Sequence, residues 1–253
     1  MVRSDLVIAG SNFIFSHICE NYAQYINKKD RKLLVIFRGI NTEYFSKNNI
    51  SDQKIQKQFQ EWKIPQDKFI ILMPGRLTSW KGQNIYIEAL NILNQQTFIK
   101  PFEAIILGSD QGRKVYFKKL LNLVAKYRLN HKIKFISNCK EMPVAYKIAN
   151  VVVSASIEPE AFGRVSVEAQ SMEKPIVASD IGGSKETILE NKSGLLFKSG
   201  DPISLAEKIK EILNLEDNTS IIMGQEGRKN VLKKFDVEKM CNSTITEYKK
   251  LIS

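Results

Sequence analysis

Side chains that bind metals or form disulfides are scarce in this sequence. Its 253 residues include three cysteines, Cys19, Cys139 and Cys241, and two histidines, His17 and His131. The cysteines lie far apart, and neither histidine has a cysteine or a second histidine at the spacing of metal ligands. We therefore expect no disulfide framework, no metal site and an ordinary structural role for both histidines. Free thiols fit a reducing, cytoplasmic compartment.

Long hydrophobic runs are also missing. A membrane-spanning helix needs roughly 18 or more consecutive apolar residues, and no run approaches that length. The first residues lead into only a short apolar segment without a small-residue cleavage pattern, so we expect no signal peptide. With 43% hydrophobic and 26% charged residues, the composition is that of an ordinary globular protein.

Acidic residues are outnumbered, 27 against 38 lysines and arginines, which gives a formal net charge of +11. Nucleic acid, an anionic membrane surface and phosphorylated small molecules are the three partners that such a charge suits. The cations are spread along the chain in short pairs such as Lys118-Lys119, which also fits solvated helix faces. Zinc-finger and helix-turn-helix spacings are missing, so we expect no nucleic-acid partner. Peripheral contact with an anionic membrane stays open.

What the sequence does contain is an alternation of strands and helices. Short apolar runs predict strands at 6–9, 32–37, 69–73, 102–107, 133–136, 151–155, 175–178 and 194–197. Helical periodicity predicts helices at 13–26, 52–62, 83–94, 114–127, 143–148, 165–172, 202–213, 220–235 and 237–251. Because continuous apolar strands alternate with helices, we predict an α/β fold with a doubly wound parallel sheet.

Two acids, Glu160 and Glu168, flank the boundary between a loop and a helix. A strand, a loop and a helix in this order place a helix N-terminus at the C-terminal edge of a sheet, where α/β proteins bind anions. Glu160 is expected in the loop and Glu168 in the helix, about two turns further on. They are too far apart for a carboxylate dyad, but they can hold two parts of one elongated ligand. Solvent-facing acids without a role are the alternative.

A second candidate segment, residues 74–82, follows a predicted strand and leads into a helix. Gly75 permits a tight exit from the strand. Arg76 offers a planar fork for phosphate oxygens and Lys81 a mobile point charge, so together they suit a diphosphate. The Gly-Lys-Ser/Thr order of a Walker A loop is missing. Two solvated cations beside a turn are the alternative. Gly182-Gly183, after a later strand, is consistent with close backbone approach to a ligand, and an ordinary turn is the alternative.

Together these motifs resemble the nucleotide-sugar-binding domain of the GT-B-fold family 4 (group 1) glycosyltransferases, including bacterial enzymes of lipopolysaccharide and surface-glycan synthesis. The similarity covers roughly residues 68–200, and the segments that carry it are 75–77, 80–83, 160–163, 168–169, 174–178, 182–183, Glu186 and 193–196. The combination is far more specific than any one motif. It implies a Rossmann-like domain that binds a UDP- or GDP-sugar.

The resemblance also implies roles for single residues. Arg76 and Lys81 would hold the donor diphosphate and stabilise it as a leaving group, while Glu160 would contact the donor sugar near the reacting carbon. Glu168 would bind the ribose hydroxyls. The remaining donor-binding positions lie at the strand exit or the helix N-terminus: Gly75, Phe162, Gly163, Arg164 and Val165. The family retains anomeric configuration and generally needs neither metal nor cofactor, since the nucleotide sugar is a substrate.

The resemblance has one departure. Family members carry the acceptor site and a catalytic-loop histidine on an N-terminal domain, of which we expect this sequence to hold only the tail. We predict a remnant of that domain with a linker at 1–45, the donor domain at 46–225, and helices that fold back at 226–253. A separate polypeptide or a homodimer would then complete an enzyme acting on a glycan or lipid-linked acceptor. A nucleotide-sugar-binding module without catalysis is the alternative.

Overall fold

The computed structural model of the chain describes residues 4–26, 31–97 and 99–252, and within them eight strands form two parallel sheets. The two-stranded sheet consists of β1 (Leu6–Ala9) and β2 (Lys32–Val35). The six-stranded sheet consists of β3 (Phe69–Pro74), β4 (Phe102–Leu107), β5 (Ile133–Ile136), β6 (Val151–Ser154), β7 (Ile176–Ser179) and β8 (Gly194–Phe197). The helices are α1 (Asn12–Ile26), α2 (Asp52–Trp62), α3 (Gln83–Asn94), α4 (Lys114–Lys126), α5 (Met142–Ile148), α6 (Arg164–Ser171), α7 (Pro202–Leu213), α8 (Asp217–Lys234) and α9 (Val237–Ile252).

The six-stranded sheet has the order β5-β4-β3-β6-β7-β8, and all its pairings are parallel. The chain builds outward from β3 on one side and then returns to place β6 on the other side. This confirms the predicted doubly wound α/β fold. The reversal opens a crevice beyond the carboxyl ends of β3 and β6, which is where open α/β sheets bind ligands.

The strands are apolar at successive positions because both faces of the sheet are covered. On β3, Ile71 and Met73 enter one apolar cluster, while Ile70 and Leu72 enter a second cluster on the opposite face. All four side chains are almost completely buried. Parallel strands covered on both faces show this pattern instead of an alternation of apolar and polar residues.

Short polar signals set where helices start. Asp201 accepts hydrogen bonds from the backbone N–H groups of Ile203 and Ser204, and Pro202 occupies the first helical turn of α7. Asp and Pro suit these positions because the side-chain oxygen satisfies otherwise unpaired N–H groups and proline lacks one. The strand-to-helix connections that flank the crevice depend instead on glycine and long-range contacts.

The segment that precedes the large sheet is joined to it at two places. The backbone N–H of Ile40 donates to Phe235 O, and Val237 N donates to Ile40 O. At the other end of the segment, Glu186 accepts from the backbone N–H groups of Asn12 and Phe13, which start α1. A carboxylate there satisfies unpaired N–H groups and suits the helix dipole.

The predicted domain boundaries stay predictions. Residues 1–3 and 27–30 of the 1–45 segment, and residue 253, lie outside the described residues. The boundary predicted between 225 and 226 falls inside α8, and α9 has no buried residue. Among the helices of the described ranges, none combines the length and the apolar character that a bilayer crossing requires.

Candidate functional site

A cavity of about 760 Å³ lies where the carboxyl end of β6 faces the segment that follows β2. Five of the predicted site residues line it: Glu160, Phe162, Gly163, Arg164 and Glu168. The opposite wall comes mainly from residues 38–41 with Tyr44 and Phe45. The cavity is therefore built jointly by the large sheet and the amino-terminal segment.

The start of α6 forms the floor of the cavity and depends on Gly163. Its φ of +87° lies in the left-handed region, and a Cβ there would stand 2.6 Å from Ser184 Cα. No side chain caps α6, and its first turn contains no acidic residue. The first N–H groups of the helix therefore face the cavity region with the positive end of the helix dipole, an arrangement that favours an anion.

Glu160 is held in a compact polar contact with Lys81. The Lys81 Nζ lies 2.8 Å from Glu160 Oε1, and the two side chains are 13% and 12% exposed. The Ser156 hydroxyl donates to the same carboxylate oxygen. The Lys81 ammonium also lies 4.5 Å from the ring centroid of Trp80, whose carbonyl accepts from Ile157 N. These contacts bring the loop after β3 against the loop after β6.

Glu168 is buried, with 7% of its surface exposed, although it lies on a helix. The Tyr146 hydroxyl donates to Oε2 at 2.7 Å, and Arg164 Nε donates to Oε1 at 2.6 Å. Burial, with the adjacent Glu168 charge, raises the pKa of Tyr146 well above its usual value, so the phenol stays protonated and donates. A carboxylate has about four acceptor positions, so Glu168 can accept further bonds from a ligand.

The alternative that Glu168 is a solvent-facing helix residue is excluded, because its side chain is buried and paired. The structure also corrects its expected position. Glu168 is the fifth residue of α6, which begins at Arg164, so it lies about one turn into the helix and not two. The stretch from Glu160 to Gly163 is loop. The two acids belong to separate polar contacts, as expected for groups that do not form a dyad.

Four predicted site residues do not line this cavity: Gly75, Arg76, Lys81 and Val165. Gly75 continues the backbone pairing of β3 through its N–H to Leu107 O at 2.8 Å. The Arg76 side chain is exposed and forms no ion pair within the described residues, while its carbonyl accepts from Gln83. Val165 is partly buried and packs against the core. Arg76 is nevertheless on the same strand-to-helix connection as Lys81.

The Gly182-Gly183 pair lies close to the backbone of the Glu160 loop. A Cβ on Gly182 would stand 2.7 Å from Glu160 O, and one on Gly183 would stand 2.6 Å from Ala161 O. Gly183 N also donates to Glu160 O at 2.7 Å. The close approach is therefore to the backbone of the Glu160 loop. The glycine pair positions the site from behind.

Sequence reasoning missed Tyr146 and Ser156, which hold the two acids. Ser156 lies two residues after the end of β6, and a serine just beyond a strand at the ligand-binding edge of a sheet is a signal that the sequence contains. Tyr146 lies in a short helix otherwise made of core residues, where its sequence position gives no sign of a polar partner. Within residues 4–26, 31–97 and 99–252, no three His, Cys, Asp or Glu side chains are grouped as metal ligands.

Comparison with known proteins places this geometry in a family. The model of the family described as Glycosyl transferases group 1 matches residues 54–230. A capsular polysaccharide biosynthesis glycosyltransferase, CapM of Staphylococcus aureus, is 26% identical over 234 residues, which cover 87% of this chain and 57% of that protein.

Solved structures of glycosyltransferases also match this chain. A glycosyltransferase from Rickettsia africae ESF-5 matches with a TM-score of 0.92 and 33% identity, over 98% of this chain and 63% of that one. Anabaena HepE, solved in complex with UDP and glucose, matches with a TM-score of 0.83 and 26% identity over the same shares of the two chains. The chain spans about half the length of the curated relatives it matches. The family match covers most of the chain, and the chain therefore belongs to the group 1 glycosyl transferases.

Proposed function

We propose that this chain binds a nucleoside-diphosphate sugar and serves as the donor-binding part of a glycosyltransferase. The observation that carries the proposal is the order of chemical groups along one crevice. Glu168 lies on one side of the α6 N-terminus, and the Lys81–Glu160 pair holds the loop on the other side. A ligand with hydroxyls at both ends and a diphosphate between them matches that order.

Each group has a role that its surroundings support. Glu168 accepts from the ribose hydroxyls, since its buried carboxylate keeps unused acceptor positions. The first N–H groups of α6 and the backbone of residues 162–165 face the phosphates and sugar hydroxyls. Lys81 neutralises the diphosphate as it leaves, together with the exposed Arg76, which forms no ion pair within the described residues.

Glu160 is proposed to contact the donor sugar near the reacting carbon. Its carboxylate is ion-paired with Lys81 and accepts from Ser156, so it is held as an acceptor and does not serve as a proton donor. When a diphosphate draws the Lys81 ammonium away, sugar hydroxyls can take the vacated positions on Glu160. We propose a retaining transfer that uses no metal, as in family 4.

The identity of the donor and acceptor is part of the proposal. Anabaena HepE was solved with UDP-glucose, which supports a UDP-sugar before a GDP-sugar. The name of the S. aureus relative supports a surface-glycan acceptor, free or lipid-linked, in a bacterium. We propose residues 46–225 as the donor domain, with residues 1–45 as a linker segment of the acceptor half and residues 226–253 as helices that fold back toward that half. The proposed setting is cytoplasmic, with peripheral contact at an anionic membrane face.

Calorimetric titration tests the donor site. UDP, GDP, ADP and their sugars are titrated into the chain and into its Glu168→Ala and Lys81→Ala variants. We expect one nucleoside diphosphate to bind and each substitution to weaken it by about 1–3 kcal/mol, the scale of hydrogen bonds to charged groups. Glu226→Ala, which removes an exposed ion pair with Lys229 on α8, is the control and should leave binding unchanged. Unaltered affinity in both site variants would contradict the assignment.

A further inference from the structure

The turn between β1 and α1 contacts the loop that carries Glu160. Ser11 is completely buried in this turn, and its hydroxyl donates to the carbonyl of Ala161 at 2.6 Å. The two residues are 150 positions apart, and Ala161 directly follows Glu160 in the chain. Within the described residues, Ala161 O accepts no other hydrogen bond. A side chain of the amino-terminal segment therefore holds one wall of the proposed donor cavity.

The same turn also holds the opposite wall of that cavity. Gly10, next to Ser11, accepts from the backbone N–H of Arg38 at 3.2 Å. Arg38 lines the cavity together with Gly39 and Ile40. Two adjacent residues thus bond to the two walls that face each other across the cavity. Because the backbone of the turn is continuous, it limits how far these walls can separate.

Glu186 keeps the turn in place. Its carboxylate accepts from the backbone N–H groups of Asn12 and Phe13, at 2.8 and 2.5 Å, and from the Asn12 side-chain amide at 3.0 Å. Glu186 forms no salt bridge within the described residues, so its charge serves the start of α1. Hydrogen bonds to a charged acceptor are stronger than neutral ones, which makes Glu186 an anchor for the neighbouring Ser11.

The anchor and the Glu160 loop share one element. Glu186 belongs to a short helical turn, Gly182–Thr187, whose Gly183 N–H donates to Glu160 O at 2.7 Å. The loop is therefore bonded on one side to this turn and on the other side to Ser11, which the same turn anchors. We call these residues the contact ring: Ser11, Asn12, Glu160, Ala161, Gly183 and Glu186. A closed ring restrains its members more than single bonds do, because each contact supports the others.

We propose that Ser11 is a positioning residue for the donor sugar, with Glu186 acting through it. The Ser11 hydroxyl fixes the backbone beside Glu160, so the Glu160 carboxylate meets the sugar hydroxyls without the cost of ordering the loop. This inference rests on the proposed function for the place of the sugar at Glu160. In that proposal Glu168 binds the ribose, and its partner Tyr146 is outside the contact ring. Loss of the Ser11 hydroxyl should therefore weaken recognition of the sugar and spare recognition of the nucleotide.

Backbone amide exchange, followed residue by residue by NMR, measures the positioning without a ligand. The reporter is the amide of Gly183, because it donates to Glu160 O. In Ser11→Ala we expect it to exchange about fivefold faster, the effect of one neutral hydrogen bond. Ser193→Ala is the matched control, since Ser193 is also completely buried and its hydroxyl also joins a backbone N–H and a backbone carbonyl. It should leave the exchange of Gly183 unchanged.

A double-mutant cycle tests whether Glu186 acts through Ser11. Glu186→Ala alone should speed the exchange of Gly183 about threefold, because the turn that carries Ser11 loses its anchor. The double variant Ser11→Ala/Glu186→Ala should exchange about fivefold faster than wild type, as Ser11→Ala does, since no hydroxyl is left to position. Independent action would multiply the two effects to about fifteenfold and would overturn the role of Glu186.

Calorimetric titration then separates the sugar from the nucleotide. The probes are UDP with UDP-glucose, UDP-galactose and UDP-N-acetylglucosamine, and GDP with GDP-mannose. We expect one nucleotide sugar to bind more tightly than its own nucleoside diphosphate. Ser11→Ala should weaken that nucleotide sugar about fivefold and change the affinity of the nucleoside diphosphate by less than about twofold. A residue that only stabilises the fold would affect both ligands equally.

Three results would overturn the proposal. They are unchanged exchange of Gly183 in Ser11→Ala, equal loss of affinity for the nucleotide sugar and its nucleoside diphosphate, and wild-type protein that binds every nucleotide sugar no more tightly than its nucleoside diphosphate. Failure of the proposed function gives a different pattern. Wild-type protein would then bind none of the probes, and faster exchange of Gly183 in Ser11→Ala would leave Ser11 with a purely structural role.

Discussion

The buried hydrogen bond between Tyr146 and Glu168 should make the proposed donor site contribute to the stability of the fold. Glu168→Ala removes the acceptor and leaves the Tyr146 hydroxyl unpaired in the core, where the residue is completely buried. An unmet buried donor costs about 1–3 kcal/mol. The Arg164 contact adds at most about 0.5 kcal/mol, because that side chain is 75% exposed. We expect a loss of about 2 kcal/mol in the free energy of unfolding.

A double-mutant cycle measures this coupling directly. Tyr146→Phe alone deprives a buried carboxylate of its donor, and a comparable loss of about 1–2 kcal/mol is expected. The double variant Glu168→Ala/Tyr146→Phe leaves neither group unsatisfied, so it should lose about as much as one single variant. The expected coupling is therefore about 1–2 kcal/mol. Urea denaturation followed by circular dichroism gives the four free energies.

The reasoning fails if the two substitutions are additive to within about 0.5 kcal/mol, the range found for independent sites. Glu226→Ala is the matched control, since its partner Lys229 is 71% exposed, and it should change stability by less than about 0.5 kcal/mol. Tyr146→Phe keeps the carboxylate and should retain UDP binding. If Tyr146→Phe abolished UDP binding while the fold persisted, the phenol and not the carboxylate would be the binding group.

Three further variants test other parts of the structure. Gly163→Ala should destabilise the fold by about 2 kcal/mol or more and abolish UDP binding, because a φ of +87° is strained for alanine and the new Cβ would meet Ser184. An unchanged melting temperature would contradict this prediction. Glu186→Ala should lower amide exchange protection at the start of α1, by an amount equivalent to about 0.5–2 kcal/mol, and equal protection in both proteins would dismiss its capping role. Burial lowers the pKa of Lys174 from 10.5 to about 8 in the folded protein. Between these two pH values the unfolded chain binds more protons than the folded chain, so the free energy of unfolding rises with pH across that window. Lys174→Met should raise the melting temperature at pH 7 and flatten that rise, and a lower melting temperature would show that the charge is stabilising.

The elements of the fold could be predicted from the sequence because their signals are local. Helices α2 and α3 and strand β4 have the predicted limits, since an apolar period and a polar boundary lie within each segment. The position of Glu160 in a loop before a helix followed in the same way. Periodicity reveals that a residue is buried, but it does not reveal which residue lies against it.

The contacts of the site depend on distant parts of the chain, and these could not be predicted. Tyr146 and Glu168 belong to different helices, α5 and α6, and only the tertiary fold brings their side chains together. A glycine pair such as Gly182-Gly183 indicates only that another group approaches closely, and not which group it is. That the approaching group is the backbone of the Glu160 loop follows from the pairing of β6 with β7.

The cap that Glu186 provides for α1 has a consequence for the order of folding. Two-stranded parallel sheets and isolated helices of this length are marginal in water, so β1, α1 and β2 have little stability alone. The cap of α1 comes from Glu186, which lies 174 positions after Asn12 in the chain. Glu186 is in place only after β7 has joined the large sheet. Residues 6–35 should therefore become protected only after the large sheet has formed, so the folding nucleus lies in the large sheet and this segment docks onto it afterwards.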